Sequence, residues 1–263
     1  MFRTIKIAAL ILAVSVANLA SASTIWMTGD DGSNLYKVNS ATGASTLVGS
    51  FGLASTFTLA FNGTGTLYGV ANGFADGALV TVNQATGVAT AVGAPTGIKN
   101  LMALSFAADG TLYAGSWDTN SLYTIDPVTG AATIVGSLGF GGIMDLDFDS
   151  HGNLFALSNS LYQVNTATGA GTLVTALDNG CLMGMAIDSA NRFYGTDYCT
   201  SNTPLYEINT ANGSLTNIGA TGIGSAMGGA IVAAASPVPE PASAILFALA
   251  LAGVVLVRQK KSR

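Results

Sequence analysis

Charge is scarce in this chain, and positive charge is scarcest. Lys and Arg together number nine in 263 residues, and six of them (Arg3, Lys6, Arg258, Lys260, Lys261 and Arg263) lie at the two extremities. Residues 23–237 keep Lys37, Lys99 and Arg192 against twelve Asp and Glu207, a net charge of −10. Nucleic-acid binding rests on clustered cations that displace phosphate counterions, so three scattered ones exclude DNA and RNA as partners. Histidine occurs once, as His151 in the turn Asp149-Ser150-His151-Gly152-Asn153. A turn tip does not suit a buried Ser-His-Asp triad. Two cysteines and one distant histidine are too few for a zinc site. No phosphate loop, dinucleotide fingerprint or metal-protease helix motif is present. Long apolar runs occur only at the ends, where they raise the mean hydropathy to +0.50. No 3.6-period apolar segment interrupts the body, so helices are expected to be scarce there.

The N-terminus has the three parts of a secretory signal: the cations Arg3 and Lys6, an apolar stretch from Ile7 to Val16, and small residues at Ala20-Ser21-Ala22. Cleavage near Ser23 is expected, which gives a signal segment over 1–22, a body over 23–235 and a tail over 236–263. The tail is ordered as Val238-Pro239-Glu240-Pro241, an apolar run from Ala242 to Val257, and the basic end Arg258-Gln259-Lys260-Lys261-Ser262-Arg263. The run would measure roughly 24 Å as a helix, short against a hydrocarbon core of about 30 Å. The terminal cations suit a cytoplasmic end.

This order of parts resembles the PEP-CTERM sorting tail of Gram-negative exported proteins. The resemblance covers the tail alone. It implies a membrane enzyme, an exosortase, that cuts near Pro-Glu-Pro and removes the hydrophobic helix. It implies a protein held at the inner membrane before processing and sent afterwards to the outer envelope or the exterior, often in bacteria that make exopolysaccharide and biofilm. The same C-terminal pattern is also called an ice-binding protein C-terminal domain, a label that describes the tail and is no evidence of ice binding.

The body repeats. Leu-Tyr-type strands begin at residues 35, 79, 122, 161 and 205, spaced 44, 43, 39 and 44 apart. The first three lead through Ala41-Thr42-Gly43, Ala85-Thr86-Gly87 and Val128-Thr129-Gly130 into a Thr/Val return strand. Each is an alternating strand, a glycine turn and a strand back. A second hairpin precedes each one, as in Leu104-Ser105-Phe106 with Leu112-Tyr113-Ala114. Two hairpins per unit at this period read as a β-propeller blade. Ile25-Trp26-Met27-Thr28-Gly29 matches a second strand with no first strand before it, and Met227-Gly228-Gly229-Ala230-Ile231 matches a first strand with no blade after it. The expected fold is all-β: a five-bladed propeller of four-stranded antiparallel blades, its first blade closed by a C-terminal strand, flanked by the signal helix and the hydrophobic helix. An open solenoid or sandwich would use the same hairpins but leave a sheet edge exposed.

The first strands can be aligned with one another. One face is bulky, with Met102, Met144, Met183 and Met185 among its residues. Methionine fills irregular gaps, so these read as packing between blades rather than as a metal or redox site. The other face is small, with Thr58, Ala103, Gly184 and Gly228 at one level, except that the fourth copy carries Asp145, Asp147 and then Asp149. Period two puts the three carboxylates on one face, beside the channel or the next blade. Buried carboxylates need partners, and the body offers few cations. A hard cation such as Ca²⁺ held by Asp145, Asp147 and Asp149 would meet that need; backbone amides or channel water would serve equally. Counting outward from Ile187 opposite Phe193 pairs Met183 with Asp197 and Cys181 with Cys199, within reach of a disulfide in an exported chain. Asp and Asn in the connections suit turns. Trp117 and Tyr198 stand in similar connections and are candidates for stacking on a sugar.

No catalytic residue and no cofactor-binding residue is assigned. Propeller glycosidases need two carboxyls across the sugar, and here the inner-strand acids gather on one blade. The expected function is a binding or structural propeller of the cell envelope or matrix, with a glycan or an envelope protein as partner. A secreted hydrolase or lyase acting on polysaccharide or lactone is the alternative. A lectin with one site per blade would repeat its polar residues, and the connections differ between copies.

Overall fold

The computed structural model describes residues 22–232 apart from 54, 72–74, 179 and 201. The expected signal helix (1–22) and the tail with its hydrophobic helix (236–263) lie essentially outside these residues. Among the described residues no helix is long and apolar enough to cross a membrane.

The hairpins form as their turn chemistry dictates. The first blade contains β1 (Thr24–Gly29), β2 (Asn34–Asn39) and β3 (Ser45–Ser50). The second contains β4 (Leu59–Phe61), β5 (Leu67–Ala71), β6 (Ala78–Val82) and β7 (Ala89–Ala91). The third runs through β8 (Leu101–Phe106), β9 (Leu112–Ser116), β10 (Ser121–Ile125) and β11 (Ala132–Ser137). The fourth has β12 (Asp145–Phe148), β13 (Leu154–Leu157), β14 (Ser160–Val164) and β15 (Gly171–Ala176). The fifth has β16 (Leu182–Ile187), β17 (Phe193–Asp197), β18 (Pro204–Ile208) and β19 (Leu215–Ala220). The last strand, β20 (Met227–Ile231), returns to the first blade and pairs antiparallel with β1, placing Ile25 opposite Ile231 and Trp26 opposite Ala230. Each of the five sheets is thus four-stranded and antiparallel. The innermost strands touch in a closed cycle, β20 to β4, β8, β12, β16 and back to β20. The molecule is a five-bladed propeller whose two ends share one sheet.

The apolar interior is divided among the blade junctions. Trp26 and Leu35 pack on Leu59, Leu67 and Val80 of the second blade, and Ile25, Met27 and Val38 pack on Ala186, Tyr194 and Leu205 of the fifth. The other three junctions are filled in the same way. The repeat's leading leucines, Leu35, Leu79, Leu122, Leu161 and Leu205, are all fully buried, which explains why each copy keeps a leucine there.

A second contact recurs at the rim. Asn39, Asn83 and Asn165 each accept two following amides on the side-chain oxygen, and Asp126 does the same, which folds the chain into the glycine turn. The turn glycine has positive φ (Gly43 +74°, Gly87 +81°, Gly169 +82°) and lies flat against the outermost strand of the preceding blade. Gly87 faces Gly49, Gly169 faces Gly136, and Gly43 faces Gly219. In the outer strands Val48, Val135, Val174 and Ile218 are extra residues where the register slips. Such bulges bend the strand and spoil it as a template for edge pairing. The bend also brings the next residue of the strand onto the neighbouring turn.

Gly136 has no positive φ, so replacing it tests closeness alone. Gly136→Ala should lower stability in urea denaturation by about 1–3 kcal/mol, because the added methyl meets the Thr168 carbonyl, which is backbone and cannot rotate away. Gly63→Ala, with nothing near its methyl, should stay within about 0.5 kcal/mol of the parent.

Candidate functional site

Asp145 is fully buried on the innermost strand of the fourth blade. Its Oδ1 accepts the Leu146 amide at 2.9 Å. Its Oδ2 accepts the Met185 amide of β16 at 2.8 Å and the Gly229 amide of β20 at 2.9 Å. One side chain therefore joins three blades. Asp147, more open to solvent, repeats the pattern one step along: Oδ2 accepts the Ile187 amide at 2.7 Å, and Oδ1 accepts the Phe148 amide at 2.9 Å and the Ser105 hydroxyl of β8 at 3.1 Å. The innermost strand of a blade has one side with no strand beside it, and these carboxylates take up amides that would face the axis unpaired. Every oxygen of the two carboxylates accepts at least one N–H or O–H, so backbone amides and the Ser105 hydroxyl supply partners for both.

Asp149 belongs to another structure. It stands in the β12–β13 turn, where Oδ1 accepts the His151 and Asn153 amides at 2.9 and 2.8 Å and Oδ2 accepts the Asn153 side-chain amide at 2.8 Å. Asn62 and Asp188 do the same in the second and fifth blades, each accepting the amides two and four residues on. The third acid of the trio is a repeated turn residue that period two happens to align with the other two. Among the described residues the group with metal-ligand potential is Cys181, Asp197 and Cys199, and its two sulfurs are joined to each other.

Burial pushes the Asp145 carboxyl well above its ordinary value, against the pull of the Met185, Gly229 and Leu146 amides. Burial also lifts Asp147, to about 7, against the Ile187 and Phe148 amides and the Ser105 hydroxyl. Asp149 meets a smaller burial cost and is held below its ordinary value by Asn153 and His151. Between its unfolded value of 3.8 and about 7, Asp147 keeps in the folded chain a proton that the unfolded chain has lost. The stability that Asp147 contributes should therefore fall as pH rises from about 4 to about 7, and the raised Asp145 adds a decline in the same direction. Urea midpoints measured across that window should show the decline, and in Asp147→Asn the decline should be shallower.

Cys181 and Cys199 form a disulfide with Cα atoms 5.9 Å apart. The register that leads to it differs from simple counting. Asp197 pairs with Leu182 and Thr196 with Gly184, which leaves Met183 as an extra residue in a bulge. Beyond the ladder, the Tyr198 amide donates to the Cys181 carbonyl at 3.1 Å. The bridge ties the start of β16 to the loop after β17.

This loop lies on what we term the front face, the end of the ring where innermost strands begin. Trp117 stands there, 41% exposed, after β9. Beside it Asn100 donates to Asp118 at 2.6 Å, and Asn120 keeps a buried Oδ1 without a hydrogen-bond partner. Gly142 lies against the edge of the indole. Tyr198 is in a different part of the rim, its hydroxyl 3.4 Å from Asp31, so the two aromatics do not form one platform. Asp30 accepts the Asn34 side chain at 2.7 Å and the Tyr36 hydroxyl at 2.6 Å, as a loop-fixing residue does. The rear face carries His151, whose side chain is 71% exposed and 3.5 Å from Asp149. Next to it, and not anticipated from the sequence, Asp188 holds Arg192 at 2.6 Å and accepts the buried Tyr194 hydroxyl at 3.2 Å. The spacing of Asp188 and Arg192 in a hairpin turn was the available signal.

A family model described as Repeat of unknown function (DUF6923) matches residues 28–244, and a model for the PEP-CTERM protein-sorting motif matches residues 237–261. No curated protein matches the chain. Among solved structures, a chain of the nidogen/laminin complex is 9% identical with a TM-score of 0.60, over 81% of this chain and 100% of that one. A symmetrical protein described in terms of de novo evolutionary emergence is 20% identical with a TM-score of 0.55, over 78% and 96%. A structural genomics protein of unknown function from Bacteroides thetaiotaomicron is 17% identical with a TM-score of 0.54, over 76% and 59%. At such identities the likeness is one of fold.

Proposed function

The chain belongs to the Repeat of unknown function (DUF6923) family and ends in a PEP-CTERM sorting motif, and from that premise we propose that it is a non-catalytic binding propeller of the cell envelope or extracellular matrix. The sorting motif marks an exported, envelope-sorted protein. The observation that carries the rest is the fate of the inner carboxylates. A propeller that cleaves glycosides presents two carboxyls to substrate, about 5–9.5 Å apart. Here Asp145 and Asp147 lie between innermost strands and their oxygens are occupied by backbone amides. The chain's one histidine sits exposed in a rear turn.

The front face supplies what a weak glycan site needs: an exposed indole for the apolar face of a sugar ring, with the exposed Asn100–Asp118 pair nearby. Before processing, the tail would hold the protein at the inner membrane, and an exosortase would release it by cutting near Pro239-Glu240-Pro241. The partner is then a matrix or envelope polysaccharide.

Two measurements test this. On a bacterial polysaccharide array the full chain should bind without turning over glycan or lactone, and Trp117→Ala should weaken binding about tenfold, or about 1.4 kcal/mol; turnover that is lost in Asp147→Asn would establish the hydrolase or lyase instead. Intact-mass analysis of the protein from its exporting cells should find a C-terminus near Glu240, and replacing Pro239-Glu240-Pro241 with alanines should leave the uncut chain in the membrane fraction.

A further inference from the structure

Four of the chain's seven methionines, Met102, Met144, Met183 and Met227, occupy one level of the ring, each directly before the small-residue position on its innermost strand. The fifth blade-equivalent at that level is Phe57. The expectation that these methionines fill blade junctions holds for Met144, which packs with Leu157 and Leu161. It also holds for Met185, in the core of the same junction, and in part for Met183, which packs against both that junction and a separate cluster; Met102 departs from it. Met102 and Met227 leave the five junction cores and form a separate cluster with Phe57, against which Met183 and Tyr198 pack. The cluster plugs the front mouth of the axis.

The backbone is arranged to put them there. Met102 and Met183 are the extra residues of bulges, where β8 slips against β9 between Leu101 and Ala103 and β16 slips against β17 between Leu182 and Gly184. On the first blade the slip falls at Gly228, just after Met227, at a positive φ of 49°. Bulges on innermost strands re-aim side chains, here out of the junction and toward the axis. A plug needs only bulk, and leucine, which fills most of the junctions, has better-defined rotamers. Methionine differs from leucine in its unbranched chain and its thioether sulfur, which can rest against aromatic rings such as Phe57 and Tyr198 and can also act as a metal ligand.

We propose that Met102, Met183 and Met227 form a binding site for a soft monovalent metal ion, Cu(I) or its analogue Ag(I), at the front mouth of the propeller axis. Thioether donors favour Cu(I), while carboxylate and carbonyl oxygens favour Mg²⁺ or Ca²⁺. Met102 and Met227 are 8% and 6% exposed, and the partly buried Met183 provides the way in from solvent. The adjacent Cys181 and Cys199 are bound to each other and supply no thiolate. Metal sites built on Cys, His or carboxylate lose protons on binding and weaken in acid. Thioethers carry no proton to lose, so binding here is independent of pH.

The test uses the full chain with its disulfide intact, titrated with Ag(I), and with Cu(I) supplied as its acetonitrile complex in competition with a chromogenic Cu(I) chelator, without thiol reductant. One ion should bind per chain, with the same affinity at pH 5 and pH 8. Met102→Leu, Met183→Leu and Met227→Leu, which keep the volume of the plug, should each weaken binding by about tenfold or more, as loss of a ligand should cost at least what loss of its supporting contacts does. Their melting temperatures should stay near that of the parent. Met144→Leu, at the same level but in a junction, should bind as the parent does. Binding that survives the triple leucine variant, or that falls between pH 8 and pH 5 as histidine or carboxylate ligation would, overturns the site, as does the absence of any one-to-one complex.

Discussion

Close approach of backbone to backbone between neighbouring blades is the constraint on which the ring depends. Five sheets around one axis leave little room at the centre, and the rim must still be sealed. The sequence meets the first demand with Ala103, Gly184 and Gly228 on the innermost strands and Thr58 just before β4. It meets the second by laying the glycine of each inter-strand turn on the outer strand of the blade before it. Because no side chain intervenes at either radius, the leucines between can interlock at core density. The junctions, and not a common centre, then hold the apolar contact of the molecule.

Asp145 departs from that rule of small residues, and its departure is structural. A carboxylate at the axis is costly to bury, and the cost shows in how far its titration is pushed upward. In return it reaches the amides of two other blades, one of them on the strand that closes the ring. Glycine, alanine or threonine at that position lacks a pair of acceptor oxygens with that reach. The fourth blade therefore links the closing strand to the fifth blade's inner strand through one carboxylate.

Much of the fold was legible because the repeats state the same physics five times. Leucine at each strand start, glycine in each turn and the mismatch of the two terminal strands were enough to give blade number and closure. What escaped was anything that depends on one residue more or less. Bulges at Met183 and Met102 cannot be seen in a pattern of period two, since a slip of one residue moves every later side chain to the other face. Counting across a regular ladder thus set Asp197 against Met183, where the structure sets it against Leu182. Asp149 misled in the opposite way. Its spacing from Asp147 fits the strand, yet its counterparts Asn62 and Asp188 in other blades identify it as a turn residue. The recurrence of the turn between copies at that position separates it from Asp145 and Asp147.

Closure by the two ends also orients the molecule. Ile25, near the start of β1, lies opposite Ile231, at the end of β20, so the body is entered and left at the rear face, beside the hairpin turns of His151 and Arg192. The sorting motif begins at residue 237, five residues after Val232 in sequence. Under the proposed anchoring through the tail, the rear face would turn toward the anchor. The front face, with Trp117, the disulfide and the methionine mouth, points the other way. The features that ring closure does not require are thus gathered on the side that a tethered propeller presents to its surroundings, which is where evolution can change them without disturbing the contacts between blades.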